Sequence, residues 1–305
     1  MPGDIGPQYA RDNAFTKKAR KRQSVYRLHN LNEVQFGFGP MAGSSGRYGN
    51  MLVAGEQSGK NFILDSSFRY AQHRVQHRKH GETIDAYRLF NNMLSSMPLC
   101  FNLVHPLSEI LQESPLHARD MLRAALPDLN ILSVTAIDLE FIPTPIADYL
   151  NDRTAMDAVL TFLNEQEEPC LLAIEVKYTE PLGANGPSDP TRHIAFAQRS
   201  GLFTDEGLAV IQNKCSQIYR NFLLAEKYAE ANGFAHCYSL VLAPQENPYT
   251  AQEVHLLRKH LKPEYAGKLH RLSLEQLVQA FRAHVPASYH HWLTTFEDRY
   301  LNFFK

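Results

Sequence analysis

Apolar positions along this chain recur with two periods, and the places where one period gives way to the other mark its elements. Across residues 83–98, Ile84, Tyr87, Leu89, Phe90, Met93, Leu94 and Met97 fall at helical spacing, predicting a helix that stops at Pro98. Residues 115–126 predict a second helix, ending before Pro127-Asp128. Residues 131–141 (ILSVTAIDLEF) switch to strand spacing, with Asp138 and Glu140 turned to one side. Residues 156–163 and 170–178 read as two more strands joined by a polar turn, Asn-Glu-Gln-Glu-Glu-Pro, which makes them a hairpin. A long polar connection (EPLGANGPSDPTRHIAF) then leads to a helix over residues 208–230, whose stripe holds Leu208, Ile211, Cys215, Ile218, Phe222, Ala225 and Ala229. Asn232-Gly233 ends it. The nearly unbroken apolar run of residues 235–243 (AHCYSLVLA) predicts a central parallel strand, reached by a right-handed crossover.

Beyond it, residues 251–261 predict a short helix and residues 268–272 an edge strand, and Ser273 opens a helix through a capping box with Gln276. Pro286 introduces a final helix whose aromatic stripe (Tyr289, Trp292, Phe296, Tyr300, Phe303) suits core or dimer contact. The predicted organisation is a basic N-terminal extension over residues 1–83, an α/β core over 84–243 and helical support over 244–305.

Composition narrows the class. With 305 residues, 44% hydrophobic, the chain holds one large α/β domain with an extension, or two small domains. No apolar run approaches the length of a membrane span and MPGDIGPQYARD lacks a signal core, predicting a cytoplasmic protein with no membrane partner. Cys100, Cys170, Cys215 and Cys237 lie far apart without CxxC spacing, against a disulfide framework, a zinc ribbon or an iron–sulfur cluster.

The net charge of −1 hides an asymmetry: residues 1–80 hold thirteen Lys or Arg against five Asp or Glu. Such a surplus suits a polyanion such as DNA. Lys17, Lys18, Arg20, Lys21 and Arg22 form one cluster, and residues 68–80 (FRYAQHRVQHRKH) predict a basic helix with Arg69, Arg74, Arg78 and Lys79; a solvated surface is the plainer alternative. His73, His77 and His80 share that helix's face without a carboxylate or cysteine to complete a metal set. Residues 55–61 (GEQSGKN) imitate a phosphate-binding loop, but the glycines are one residue too close and Asn61 stands where a Ser or Thr must be, so residues 37–59 read as a loop, one that moves over DNA in the functional reading. Asn91, Asn92, Ser95 and Ser96 either satisfy helix packing or approach a site.

The chemistry concentrates in the hairpin. Alternation puts Asp157, Val159 and Thr161 on one face, and Ala173, Glu175 and Lys177 on one face of the partner strand. Charges in strands this apolar need partners or a metal. Two carboxylates suit a hard cation such as magnesium, with a lysine beside them to position or deprotonate water; an interstrand salt bridge is the bland alternative.

Asp157, seventeen residues, then Glu175-Val176-Lys177 resembles the active-site signature of the PD-(D/E)xK nuclease superfamily, although Ala155 and Met156 stand where its leading proline would be. The order of elements resembles that superfamily's α-β-β-β-α-β restriction-endonuclease-like core, a central mixed sheet flanked by helices. The whole chain, through QSVYRLHNL, NNMLSSMPLCFNL, YLNDRTAMDAVL, LLAIEVKYTE and CSQIYRNFLL, resembles a family of bacterial restriction-type endonucleases. The resemblance implies a magnesium-dependent endonuclease (manganese as substitute) acting on DNA, of restriction or defence type. Asp157, Glu175 and the Val176 carbonyl would hold the metal, Lys177 would orient water, and Glu140 or Asp138 would bring a further carboxylate. Gln217 of the crossover helix would face the metal site or the scissile phosphate. The QxxxY pattern of exonuclease-type members is missing, Tyr219 lying two residues past Gln217. Cutting both strands implies a homodimer, with the aromatic C-terminal helix as interface. A catalytically silent nucleic-acid-binding protein, or a repair or toxin nuclease, are the competing readings.

Overall fold

The structure, a computed structural model, describes residues 4–78, 82 and 84–303. Lys79 and His80 lie outside the described residues. The elements run α1 (Ala14–His29), α2 (Gly55–Ser58), α3 (Asp65–Gln76), α4 (Ala86–Asn91), α5 (Ser96–Glu113), α6 (Pro115–Ala125), β1 (Ile131–Phe141), β2 (Met156–Asn164), β3 (Pro169–Val176), α7 (Thr191–Ser200), α8 (Asp205–Asn213), α9 (Gln217–Ala231), β4 (His236–Ala243), α10 (Thr250–His260), β5 (Leu269–Ser273), α11 (Leu274–Arg282) and α12 (His290–Tyr300).

The sheet is mixed, ordered β1-β2-β3-β4-β5. Its first three strands are antiparallel and its last two join in parallel. The β2–β3 turn is closed by Asn164, whose Oδ1 accepts the Gln166 and Glu168 amides at 3.0 and 2.9 Å, and Glu167 takes φ 59°. Period-two burial splits the sheet between two cores. Ala158, Leu160, Phe162, Leu172, Ile174 and Val176 face α5, α6, α11 and α12, whereas Leu171, Ala173 and Val241 face α9 and its neighbours. This is the restriction-endonuclease-like α/β architecture that the order of elements predicted. Among the described residues no helix is long and apolar enough to cross a membrane.

Helix boundaries depart from the periodicity in three places. The segment expected as one helix up to Pro98 is two: α4 stops at Asn91 and α5 starts at Ser96. Pro98 sits in the first turn of α5, where its missing amide costs no bond, so the proline lies inside a helix rather than ending one. The crossover helix is also two. Lys214 and Ser216 are extended, Ser216 as N-cap, so Gln217 opens α9 while the apolar stripe runs on through Cys215 across the break. The polar connection before it contains α7, whose buried face is His193, Phe196 and Ala197.

The N-terminal residues belong to the packing around the sheet's end. Arg22 donates to the Asp298 carbonyl, and Gln23 Nε2 donates to the Arg299 carbonyl at 3.0 Å and to the Tyr178 hydroxyl at 3.2 Å, so α1 grips α12 and the residue after Lys177. Much of the basic surplus is engaged this way. Arg20 pairs with Asp12 at 2.5 Å and Lys18 with Glu246 at 2.7 Å, leaving Lys17 and Lys21 as the outward cations of the cluster that no salt bridge engages among the described residues. Arg74 turns inward to the Leu139 carbonyl at 2.5 Å, while Arg69 is exposed. The imitation phosphate loop is equally structural: α2 occupies it, Lys60 pairs with Glu33 at 2.8 Å, and Asn61 is buried against Arg299. The aromatic stripe of α12 lies in the core, where Trp292 Nε1 donates to the Asn102 carbonyl at 2.7 Å, so it offers no dimer surface.

Candidate active site

Register fixes the geometry of the acidic residues. Leu139 pairs with Ala158 and Phe141 with Met156, which sets Glu140 opposite Asp157; Ala158 pairs with Ile174, which sets Asp157 opposite Glu175; and Glu175 pairs with Val241. Glu140, Asp157 and Glu175 therefore stand in one row across β1, β2 and β3. Glu140 reaches its place with φ 49°, in the left-handed region that a non-glycine residue enters only when its surroundings hold it there. Arg74, donating to the Leu139 and Glu140 carbonyls, is one such restraint.

Glu175 is the hub. Its Oε1 accepts from Lys177 Nζ at 2.6 Å and from Gln217 Nε2 at 2.8 Å, and its Oε2 accepts from Asn221 Nδ2 at 2.6 Å. Gln217 and Asn221 stand one turn apart on α9, and the break before Gln217 points its side chain back at the sheet. Gly183 makes room: a Cβ there would lie 2.7 Å from Gln217 Oε1, at φ 82°. Lys177 follows the last residue of β3 and keeps the ladder through its amide, which donates to the Leu242 carbonyl at 2.8 Å. Asp157 Oδ2 accepts the Val176 amide at 2.7 Å, locking the carboxylate beside the Glu-Val-Lys turn.

The electrostatics follow from crowding. Part of Asp157 remains accessible, yet burial, reinforced by the charge of Glu175, pushes its carboxyl well above the ordinary range. Burial also pushes Glu140 up to about 7, with Arg74 opposing and Glu175 adding to the rise. Burial disfavours the charge on Lys177, but Glu175 and Asp157 outweigh it and hold the ammonium above its usual value.

The donor set fits a hard divalent cation: carboxylate and carbonyl oxygens of Asp157, Glu175 and Val176, crowded negative charge that a cation relieves, and no sulfur. Among the described residues no three His, Cys, Asp or Glu side chains form a ready-made cage. Two carboxylates with phosphate and water completing the shell is the arrangement magnesium uses. Asn221 Oδ1 is buried without a partner among the described residues, beside a cavity of about 30 Å³ behind Glu175 that has room for one water.

Every site residue expected from the sequence lies in or beside this cluster. Gln217 holds the Glu175 carboxylate, and Asn221, its neighbour by helical spacing, shares the task. Of the two further acids, register selects Glu140; Asp138 lies two residues away, and both line a cleft with His73, His77 and Tyr228. His73 and His77 stack at 4.2 Å. Sequence reasoning did not reach Glu180, whose Oε1 accepts the Ser96 amide at the start of α5 at 3.1 Å and whose Oε2 accepts the Tyr178 amide at 3.1 Å, nor Arg88, 3.9 Å from Glu180. Only Ser95 and Ser96, as part of a run rich in amides and hydroxyls, carried a signal there.

Residues 10–302 match the family described as the PD-(D/E)XK nuclease superfamily, and the chain belongs to that superfamily. No curated protein and no solved structure matches it.

Proposed function

We propose that this PD-(D/E)XK nuclease is a cytoplasmic endonuclease of restriction or defence type that hydrolyses DNA phosphodiester bonds with magnesium, manganese serving as substitute. The reading rests on one observation, the Glu140-Asp157-Glu175 row ending at Lys177. Asp157, Glu175 and the Val176 carbonyl hold the cation. When bound, it supplies positive charge beside the phosphate and eases loss of a proton from the attacking water.

The chain's own groups do the rest. Lys177 Nζ, kept charged by Glu175, lies where it can donate to a phosphate oxygen and orient the water. Gln217 and Asn221 fix the two oxygens of Glu175 so that its geometry does not change when Lys177 turns to substrate. Glu140 adds a third charge to the row once ionised. Cutting both strands takes two copies, and the surface that joins them lies elsewhere than α12.

A supercoiled plasmid incubated with the protein in magnesium, in manganese and in chelator is the direct test. Nicking and linearisation with metal, lost in Asp157→Asn and Lys177→Ala proteins of unchanged melting temperature, supports the reading. Plasmid that survives intact in both metals, or is cut equally by the variants, rejects it.

A further inference from the structure

The glycine-rich loop has a use that the catalytic cluster does not absorb. Between Val34 and Gly55 the chain holds no Asp or Glu. Phe38 and Arg47 bridge antiparallel, the Gly39 amide donates to the Gly46 carbonyl at 3.1 Å, and the Ser44 amide to the Met41 carbonyl at 3.1 Å, so residues 38–47 form a hairpin with Met41 at its turn. Its base is braced: the Gly37 amide donates to the Met51 carbonyl at 2.8 Å, and the Leu52 amide to the Asn91 carbonyl at 2.9 Å. A Cβ on Gly37 would come 2.3 Å from the Leu52 carbonyl oxygen, so only glycine admits this closeness.

A braced hairpin with an apolar tip is unfavourable to leave in water. Met41 is 60% and Phe38 42% exposed, and the Arg47 guanidinium lies 4.4 Å over the Phe38 ring. The hairpin is also tied to α4, the helix that carries Arg88. The Tyr87 hydroxyl donates to the Phe38 carbonyl; Arg88, the next residue, donates to Ser95 Oγ at 3.2 Å, lies 3.9 Å from Glu180, and its charge bears on Glu140.

We propose that the hairpin of residues 38–47 is a wedge that enters an opened base step of duplex DNA, Met41 and Phe38 replacing the broken stacking while Arg47 meets the backbone. The occupant is DNA because the segment carries no acid to repel phosphate and because Phe, Met and Pro are the residues that prise base steps apart. Two side chains at a turn are also far less than the roughly 800 Å² per partner of a stable protein interface. The proposal deepens the nuclease reading and rests on it.

Binding in chelator separates the two. Fluorescent duplexes, one continuous and one with a short mismatched stretch, are titrated with wild-type, Met41→Ser and Phe38→Ser/Met41→Ser proteins, with circular dichroism confirming the fold. Wild type should prefer the mismatched duplex about tenfold, because opened steps spare the unstacking cost, and the double variant should lose that preference. No preference in wild type, or one that survives in the double variant, overturns the wedge even if plasmid is cut. A preference that the variant abolishes, in a protein that cuts no plasmid, leaves the wedge standing and removes the nuclease reading. A change of molecular mass in the variant with unchanged duplex preference assigns the tip to a second copy and overturns the proposal.

Discussion

Arg220 grips Asp152 with two bonds, Nε to Oδ2 at 2.6 Å and Nη2 to Oδ1 at 2.5 Å, tying the segment before β2 to the helix that holds Glu175. Asp152 is buried and also accepts from His193 Nε2 at 2.8 Å and the Thr154 amide at 2.8 Å. Burial opposes its charge, but these donors prevail and hold the carboxyl below the usual range. Arg220→Met should destabilise by about 3 kcal/mol, read from urea melts, because the buried carboxylate then keeps only His193 and the Thr154 amide to offset its charge. Cleavage should fall in parallel even where the protein stays folded, since Asn221 is the next residue. An Arg220→Met protein as stable as wild type would show that the pair sets nothing.

Gly183 and Gln217 form a second coupled pair. Gly183→Ala adds a Cβ 2.7 Å from Gln217 Oε1 at a φ of 82°, costing about 1–2 kcal/mol and displacing the amide from Glu175. In a double-mutant cycle, Gln217→Ala should restore part of the stability that Gly183→Ala removes, because the clash goes with the amide. Additive losses in the cycle would mean that backbone strain alone is at work.

How much of this was legible follows from the physics of each signal. The Asp157 to Lys177 spacing reported the β2–β3 hairpin because strand alternation is local and rigid. Glu140 was only half legible: alternation placed it with Asp138, and its own left-handed conformation leaves no mark in the letters. The breaks at Asn91 and at Lys214 were invisible because apolar spacing continues across them, and the inward members of the basic cluster could not be told from the outward ones because a guanidinium bound to the Asp298 carbonyl reads in sequence like one in solvent. Asp152, His193 and Arg220 are 41 and 68 residues from one another in pairing, beyond any local pattern.

The salt dependence of DNA binding should divide the basic cluster. Lys17→Ala/Lys21→Ala should flatten the slope of log affinity against log salt by about two units, one for each phosphate that a lysine no longer neutralises. Arg22→Ala should lower the melting temperature, because its guanidinium is buried on the Asp298 carbonyl. Lys177→Ala should move the slope by at most about one unit while turnover falls by orders of magnitude. A Lys17/Lys21 variant with the wild-type slope would shift the phosphate-binding role to Arg69 and its surroundings.

Acid sensitivity should trace to His105 on α5. Its Nδ1 lies 3.2 Å from Ser67 Oγ and its ring 4.5 Å from that of Tyr70, and burial lowers its pKa to about 4. The unfolded chain takes up this proton near pH 6.5, whereas the folded one resists it until about pH 4, so between those values the unfolded state binds more protons. Stability from this group is therefore complete above about pH 6.5 and is lost as pH falls toward 4, by up to ~3 kcal/mol. His105→Gln, which keeps a hydrogen-bonding group but cannot take the proton, should lose less stability over that window than wild type, whatever the other groups contribute to both. Urea midpoints at pH 7 and pH 5 give the comparison, and parallel curves for the two proteins would place the acid sensitivity elsewhere.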